Sequence, residues 1–156
     1  MKSIMSAVFC VALALVISGC RYSDRTRFKH SPGPSDPAGQ LKDHVSCVTR
    51  GKLKPYYEEW RNVKSSLHKP DSAGQPYTAT ITAEVYEFGT ASATAAFART
   101  DYEISLVFQD NQWTMKELKA NSGMIGAGVW QSKGSKEPVP AGSTRWKLVA
   151  RQLELP

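Results

Sequence analysis

Residues 102–118 read YEISLVFQDNQWTMKEL, and this stretch decides the fold. Tyr102, Ile104, Leu106 and Phe108 alternate with Glu103, Ser105 and Gln109, the period-two pattern of a strand with one buried face. Asp110-Asn111 supplies a turn, and Trp113, Thr114, Met115 and Lys116 resume extended structure, so the stretch predicts a β-hairpin. Upstream, Tyr77, Ala79, Ile81, Ala83 and Val85 fall on one face with Thr78, Thr80, Thr82 and Glu84 on the other, a second half-buried strand. Between them, Gly89 to Thr100 is rich in Ala and Thr, with Phe97 its only large apolar residue, and is expected to continue a strand with a bulge. Downstream, Arg145 to Leu155 places Trp146, Leu148 and Ala150 opposite Lys147, Val149 and Arg151, which predicts a last strand.

Ahead of the strands the period is helical. Asp36-Pro37 is a helix start, since Asp caps free N–H groups and Pro fits the first turn. Leu41, Val45 and Val48 follow at helical spacing, and Gly51 closes the segment. A second helix is expected from Pro55, with Tyr56, Trp60, Val63 and Leu67 as a core stripe and Glu58, Glu59 and Arg61 facing away. Lys64, His68 and Lys69 suit its C-terminal end, and Pro70, Asp71 and Gly74 terminate it. The expected fold is α+β: two N-terminal helices packed on one face of a curved antiparallel sheet of about four strands, in one domain of about 120 residues from Pro37. This order resembles the NTF2-like and cystatin-like groups, whose final hairpin Tyr102–Leu118 is similar to; the resemblance implies a fold and no activity.

The N-terminus carries a different signal. Met1-Lys2 is a short basic start, Ile4 to Ile17 is almost unbroken apolar sequence, and Ile17-Ser18-Gly19-Cys20 closes it on small residues. That is the layout of a secretory signal, and it resembles the lipobox of bacterial lipoproteins. The resemblance implies acylation of Cys20, cleavage before it, no span by residues 1–19 and attachment to the cell envelope. Arg21 stands where inner-membrane-retained lipoproteins carry Asp, which implies the outer membrane, facing the periplasm. A transmembrane helix competes poorly: the apolar run is about 14 residues where a span needs roughly 20. Residues 21–36, rich in Arg, Ser, Pro and Gly, read as a flexible tether that reaches about 50–60 Å when stretched. The domain plan is thus 1–19 signal, 20–36 lipidated Cys and tether, and 37–156 globular.

Without residues 1–19 and their one charge, Lys2, the formal charge of +6 becomes +5, with cations and anions interleaved. No nucleic-acid patch is present, and the basic excess suits either an ordinary solvated surface or contact with anionic lipid, peptidoglycan or an acidic protein. Cys10 leaves with the signal and Cys20 is acylated, so Cys47 stands alone and no internal disulfide is available. His44 lies one turn before Cys47, yet no Asn or Asp stands out as an orienting third group, and a half-buried structural thiol or an intermolecular disulfide is expected.

Catalytic and metal motifs are missing. His30, His44 and His68 fall on the tether, a helix flank and a helix end; HExxH, CxxC, GxSxG and DxDxDG do not occur. Gly126 and Gly128 hint at a phosphate cradle, but Gln131 occupies the third Gly of GxGxxG, and GxxxxGK[ST] is absent. Glu84 and Glu103 form the kind of carboxylate pair any sheet offers. No enzyme, cofactor or metal is expected.

The segment from Asn121 to Ser143 holds five Gly and two Pro around Met124, Ile125, Val129 and Trp130. It is either a glycine-rich edge strand in the core or a docking element that buries Trp130 against a partner. The expectation is a non-catalytic accessory subunit of an envelope machine for secretion, assembly or the cell wall, docking through Met124, Ile125, Val129 and Trp130. Two alternatives stay open. One is a small-molecule or lipid-binding module whose cavity is lined by Tyr77, Ile81, Tyr102, Leu106 and Trp113. The other is a periplasmic inhibitor or immunity protein.

Overall fold

A computed structural model describes residues 36–156. The expected signal, acylated Cys20 and tether lie outside the described residues. Helix α1 (Pro37–Val48) comes first, then strands β1 (Glu58–His68), β2 (Thr78–Glu87), β3 (Ala98–Gln109), β4 (Gln112–Gly126), β5 (Val129–Ser132) and β6 (Glu137–Pro138), and last helix α2 (Thr144–Gln152). The strands form one curled antiparallel sheet in the order β1-β2-β3-β4-β5, with β6 also on β4. The fold is α+β.

The hairpin forms as its sequence dictates. Gln109 pairs with Gln112 across Asp110 and Asn111, whose φ values of 52° and 61° make the two-residue turn that matches strand twist. On β2, Ala79, Ile81, Ala83 and Val85 are buried; on β3, Tyr102, Ile104 and Leu106 are. Their β4 partners include Leu118, opposite Ile104, and Trp113, opposite Phe108, with rings 5.2 Å apart. Trp113 also donates its indole N–H to the Pro37 carbonyl at 2.9 Å, tying α1 to the sheet. Leu41 and Val48 of α1, and Val149, Leu153 and Leu155 of the C-terminal segment, join these side chains in one core.

Several expectations are corrected. The pair of N-terminal helices on one sheet face does not form, because residues 58–68 are strand β1. Pairing steps from Arg61 opposite Glu84 to Lys64 opposite Thr82, so Asn62 and Val63 together oppose Ala83. Asn62 takes φ 50° at this bulge. The extra residue turns a period-two face, Trp60-62-64-66, into Trp60-Val63-Ser65-Leu67. Its first step of three imitates a helix. Glu58, expected to face away, is 1% exposed, because it shares the face of Trp60.

The last expected strand is helix α2. Ser143 caps it, its hydroxyl accepting the Trp146 N–H at 3.3 Å. A strand would leave Val149 on the charged face; the helix instead buries Leu148, Val149 and Gln152 together. Beyond it, the Leu155 N–H donates to the Ala150 carbonyl at 2.8 Å and folds Leu155 into the core. Gly89–Phe97 is loop rather than strand, and β3 begins at Ala98. The sheet has six strands, two of them taken from the Gly-rich segment.

His44 fastens α1 to the end of α2, its Nδ1 donating to the Leu153 carbonyl at 2.7 Å. Burial lowers its pKa, outweighing the opposing pull of the Leu153 carbonyl and of Glu154 and Asp43. With the folded value below the unfolded one, near about 6.5, the contribution to stability is full above that pH. It is lost as pH falls through the lowered folded value, because only the unfolded chain readily takes the proton. Urea midpoints of wild type should therefore drop below about pH 6.5, and His44→Gln should remove that part of the drop. An unchanged profile in the variant would refute the assignment.

Candidate docking site

The β4–β5 hairpin builds this site. Ala127 and Gly128, with φ 48° and 77°, make a second two-residue turn between Gly126 and Val129. Pairing places Met124 opposite Gln131 and Ile125 opposite Trp130. Met124, Gln131 and Val129 therefore share one face, and Ile125 and Trp130 the other. The four expected docking residues are thus split between two faces.

On the first face Met124 is 59% and Val129 64% exposed, two of the large apolar side chains open to solvent. Met124 borders a groove of about 340 Å³ lined also by Glu87, Thr100, Ser122, Lys133 and Arg145 among others. Its floor is polar: the hydroxyls of Thr100 and Ser122 lie 2.9 Å apart. One wall is Arg145, brought in by the first turn of α2. Its Nη1 donates to Glu58 Oε1 at 2.5 Å and its Nη2 to Glu87 Oε1 at 2.8 Å. Gln152 completes the cluster, donating Nε2 to Glu58 Oε2 at 2.8 Å. Glu58 is thereby satisfied at both oxygens, which permits a buried carboxylate on the apolar side of a sheet. Beside it, burial pushes the Tyr102 phenol well above its usual pKa despite the nearby Arg145. Tyr102 Oη, Trp60 Nε1 and Gln152 Oε1 are buried with no partner.

On the second face Trp130 folds back on its own sheet. Its indole N–H donates to the Arg99 carbonyl at 3.1 Å, and the Arg99 guanidinium sits 4.4 Å from its ring. Gly123 makes this approach possible, since a Cβ there would strike the Gln131 carbonyl. Asp101 holds Arg99 with bonds of 2.8 and 3.1 Å, and Glu84 lies 3.1 Å away. Hydrogen bonding to Asp101 raises the Arg99 pKa. Tyr86 extends the stack, 4.5 Å from Arg61 and 5.6 Å from Arg99.

No family model, curated protein or solved structure matches this chain. Its function is therefore argued from its own geometry.

The expected cavity residues serve packing. Ile81, Tyr102, Leu106 and Trp113 lie in the core and Tyr77 packs against it, with Trp60 stacked on Tyr102 at 5.8 Å. Cys47 is half-buried; its Sγ donates to the Asp43 carbonyl at 3.3 Å, and burial, with Glu154, pushes its pKa up to about 11. His44 is engaged with Leu153, so this thiol is the reverse of an activated nucleophile. Among the described residues no cluster of His, Cys, Asp or Glu is arranged to hold a metal. No helix there is long and apolar enough to cross a membrane.

Sequence reasoning passed over Glu58, Glu87, Arg145 and Gln152. One local signal pointed to them: Glu58 stands two residues before Trp60, and on a strand that spacing shares a face.

Proposed function

We propose that this protein is a lipid-anchored component of the cell envelope, tethered through an acylated Cys20, that captures an envelope protein partner without catalysis. The observation that carries the docking half is the joint exposure of Met124 and Val129 on one hairpin face, with Met124 at the groove walled by Arg145 and Glu87. Apolar anchors rimmed by fixed charge are how protein interfaces concentrate binding energy. The anchoring half rests on Ile17-Ser18-Gly19-Cys20. Acylation of at least two chains makes membrane attachment lasting, where one chain holds only marginally.

Cells fed an alkyne fatty acid should yield labelled protein, and Cys20→Ser should abolish the label; an unlabelled wild type refutes the anchor. For docking, a photo-crosslinking residue at 124 or 129 should give one discrete adduct in intact cells. Met124→Asp combined with Val129→Asp should cut adduct from a third hairpin position at least tenfold, since each buried apolar side chain is worth about 1.5–3 kcal/mol. Undiminished adduct in that double variant refutes the docking face. Both side chains are exposed, so thermal stability should hardly change.

A further inference from the structure

Helix α2 shows a second stripe that neither the core nor the docking groove uses. Thr144, Lys147 and Arg151 follow one another at helical spacing on its exposed side. Among the described residues, the side chains of Lys147 and Arg151 make no ion pair, whereas Arg145, two residues before Lys147, is held by Glu58 and Glu87. The two free cations border a groove of about 250 Å³ closed by Pro55, Tyr56, Thr144 and Leu148, and no carboxylate lines it. Tyr56 is 48% exposed there. On their other flank the same cations border a larger groove of about 730 Å³ with Trp146, Ala150 and Leu155; Glu154 is the acidic side chain in its wall. Glu154 also acts on His44 and Cys47.

We infer that this face of α2 lies on the bilayer, with Lys147 and Arg151 seating the phosphate of an anionic lipid headgroup in the groove beside Tyr56. The chemistry is complementary: two cations and the hydroxyls of Tyr56 and Thr144 face the phosphate, and Pro55 and Leu148 form an apolar floor. Tyr56 and Trp146, one ring on each side of the cations, are the side-chain types that settle at a membrane–water interface. The inference rests on the envelope reading above and adds an orientation to it: α2 turns Lys147 and Arg151 to the lipid, while Arg145 in its first turn stays with Glu58 and Glu87 at the docking groove.

The test uses the full chain carrying Cys20→Ser, which cannot be acylated, so its failure and the failure of the anchor are read separately. Its partition is measured by sedimentation with vesicles of zwitterionic lipid and of a zwitterionic–anionic mixture. Residues 1–35 are the same in every variant, so differences report the groove. Lys147→Ala with Arg151→Ala should lower partition onto the anionic vesicles by about 30-fold, at about 1 kcal/mol for each cation. Partition onto the zwitterionic ones should stay unchanged. The charge-keeping pair Lys147→Arg with Arg151→Lys should retain binding, which separates charge from any role in folding. Anionic preference undiminished in the double alanine variant overturns the inference. Binding of inorganic phosphate that the double alanine variant abolishes, together with no preference of the parent protein for anionic over zwitterionic vesicles, also overturns it, since that combination marks a site for free phosphate.

Discussion

Arg145→Ala should cost about 3 kcal/mol of unfolding free energy, read as a fall in the urea midpoint with little change in slope. Removal of one partner from a buried ion pair leaves the other charge uncompensated, and such losses run to about 3–5 kcal/mol. The lower end applies because Arg145 keeps 31% of its side chain open to water. Glu58 is the group left stranded, 1% exposed and beyond the reach of bulk solvent. Gln152 alone cannot neutralise it, and Glu87 would repel it. Arg145→Met with Glu58→Leu should recover most of the loss, because an apolar pair of similar volume leaves no buried charge. A single variant that unfolds within about 1 kcal/mol of wild type would mean that Glu58 is not paired as described. The same variant should weaken partner capture, since Arg145 is a wall of the docking groove.

Gly123→Val should peel β5 from β4. The added Cβ meets the Gln131 carbonyl and lies 2.8 Å from Trp130 Nε1. The first contact is with backbone, which cannot swing aside as a side chain can, so the cost should exceed the about 1–3 kcal/mol of ordinary overpacking. Trp130 then loses its bond to the Arg99 carbonyl and its place against the Arg99 guanidinium, and its fluorescence should shift to that of a solvated indole. Val129, carried on the same short strand, moves away from Met124, and the adduct expected from this hairpin should disappear. Gly126→Ala is the control. The nearest group to its Cβ would be the Gln131 side chain at 3.5 Å, and it should leave fluorescence and adduct intact. A folded Gly123→Val with wild-type Trp130 emission would show that the close approach is not needed.

Trp130 illustrates how far local reading goes. Its residue type marks it as an anchor for a partner, and its surroundings make it an internal clamp: ring on Arg99, N–H on the Arg99 carbonyl. The exposed apolar work on that hairpin falls to Met124 and Val129 instead. The sequence contains the pairing that separates them, but only once the Ala127-Gly128 turn is recognised, and the five glycines scattered over 121–143 hide it.

By itself, the sequence determined what depends on near neighbours: the alternating faces of β2 and β3, the Asp110-Asn111 turn that joins β3 to β4, and the Asp36 cap of α1. Only the tertiary structure decided that residues 58–68 are a strand. A bulge is defined against the partner strand, and the inserted Asn62 made a period of two look helical. Tertiary contacts also made residues 144–152 a helix, because Leu148, Val149 and Gln152 find the core together only in that form. The Glu58–Arg145 pair joins residues 87 positions apart. No window along the chain contains both, and burial makes that pairing obligatory only after the sheet and α2 have met.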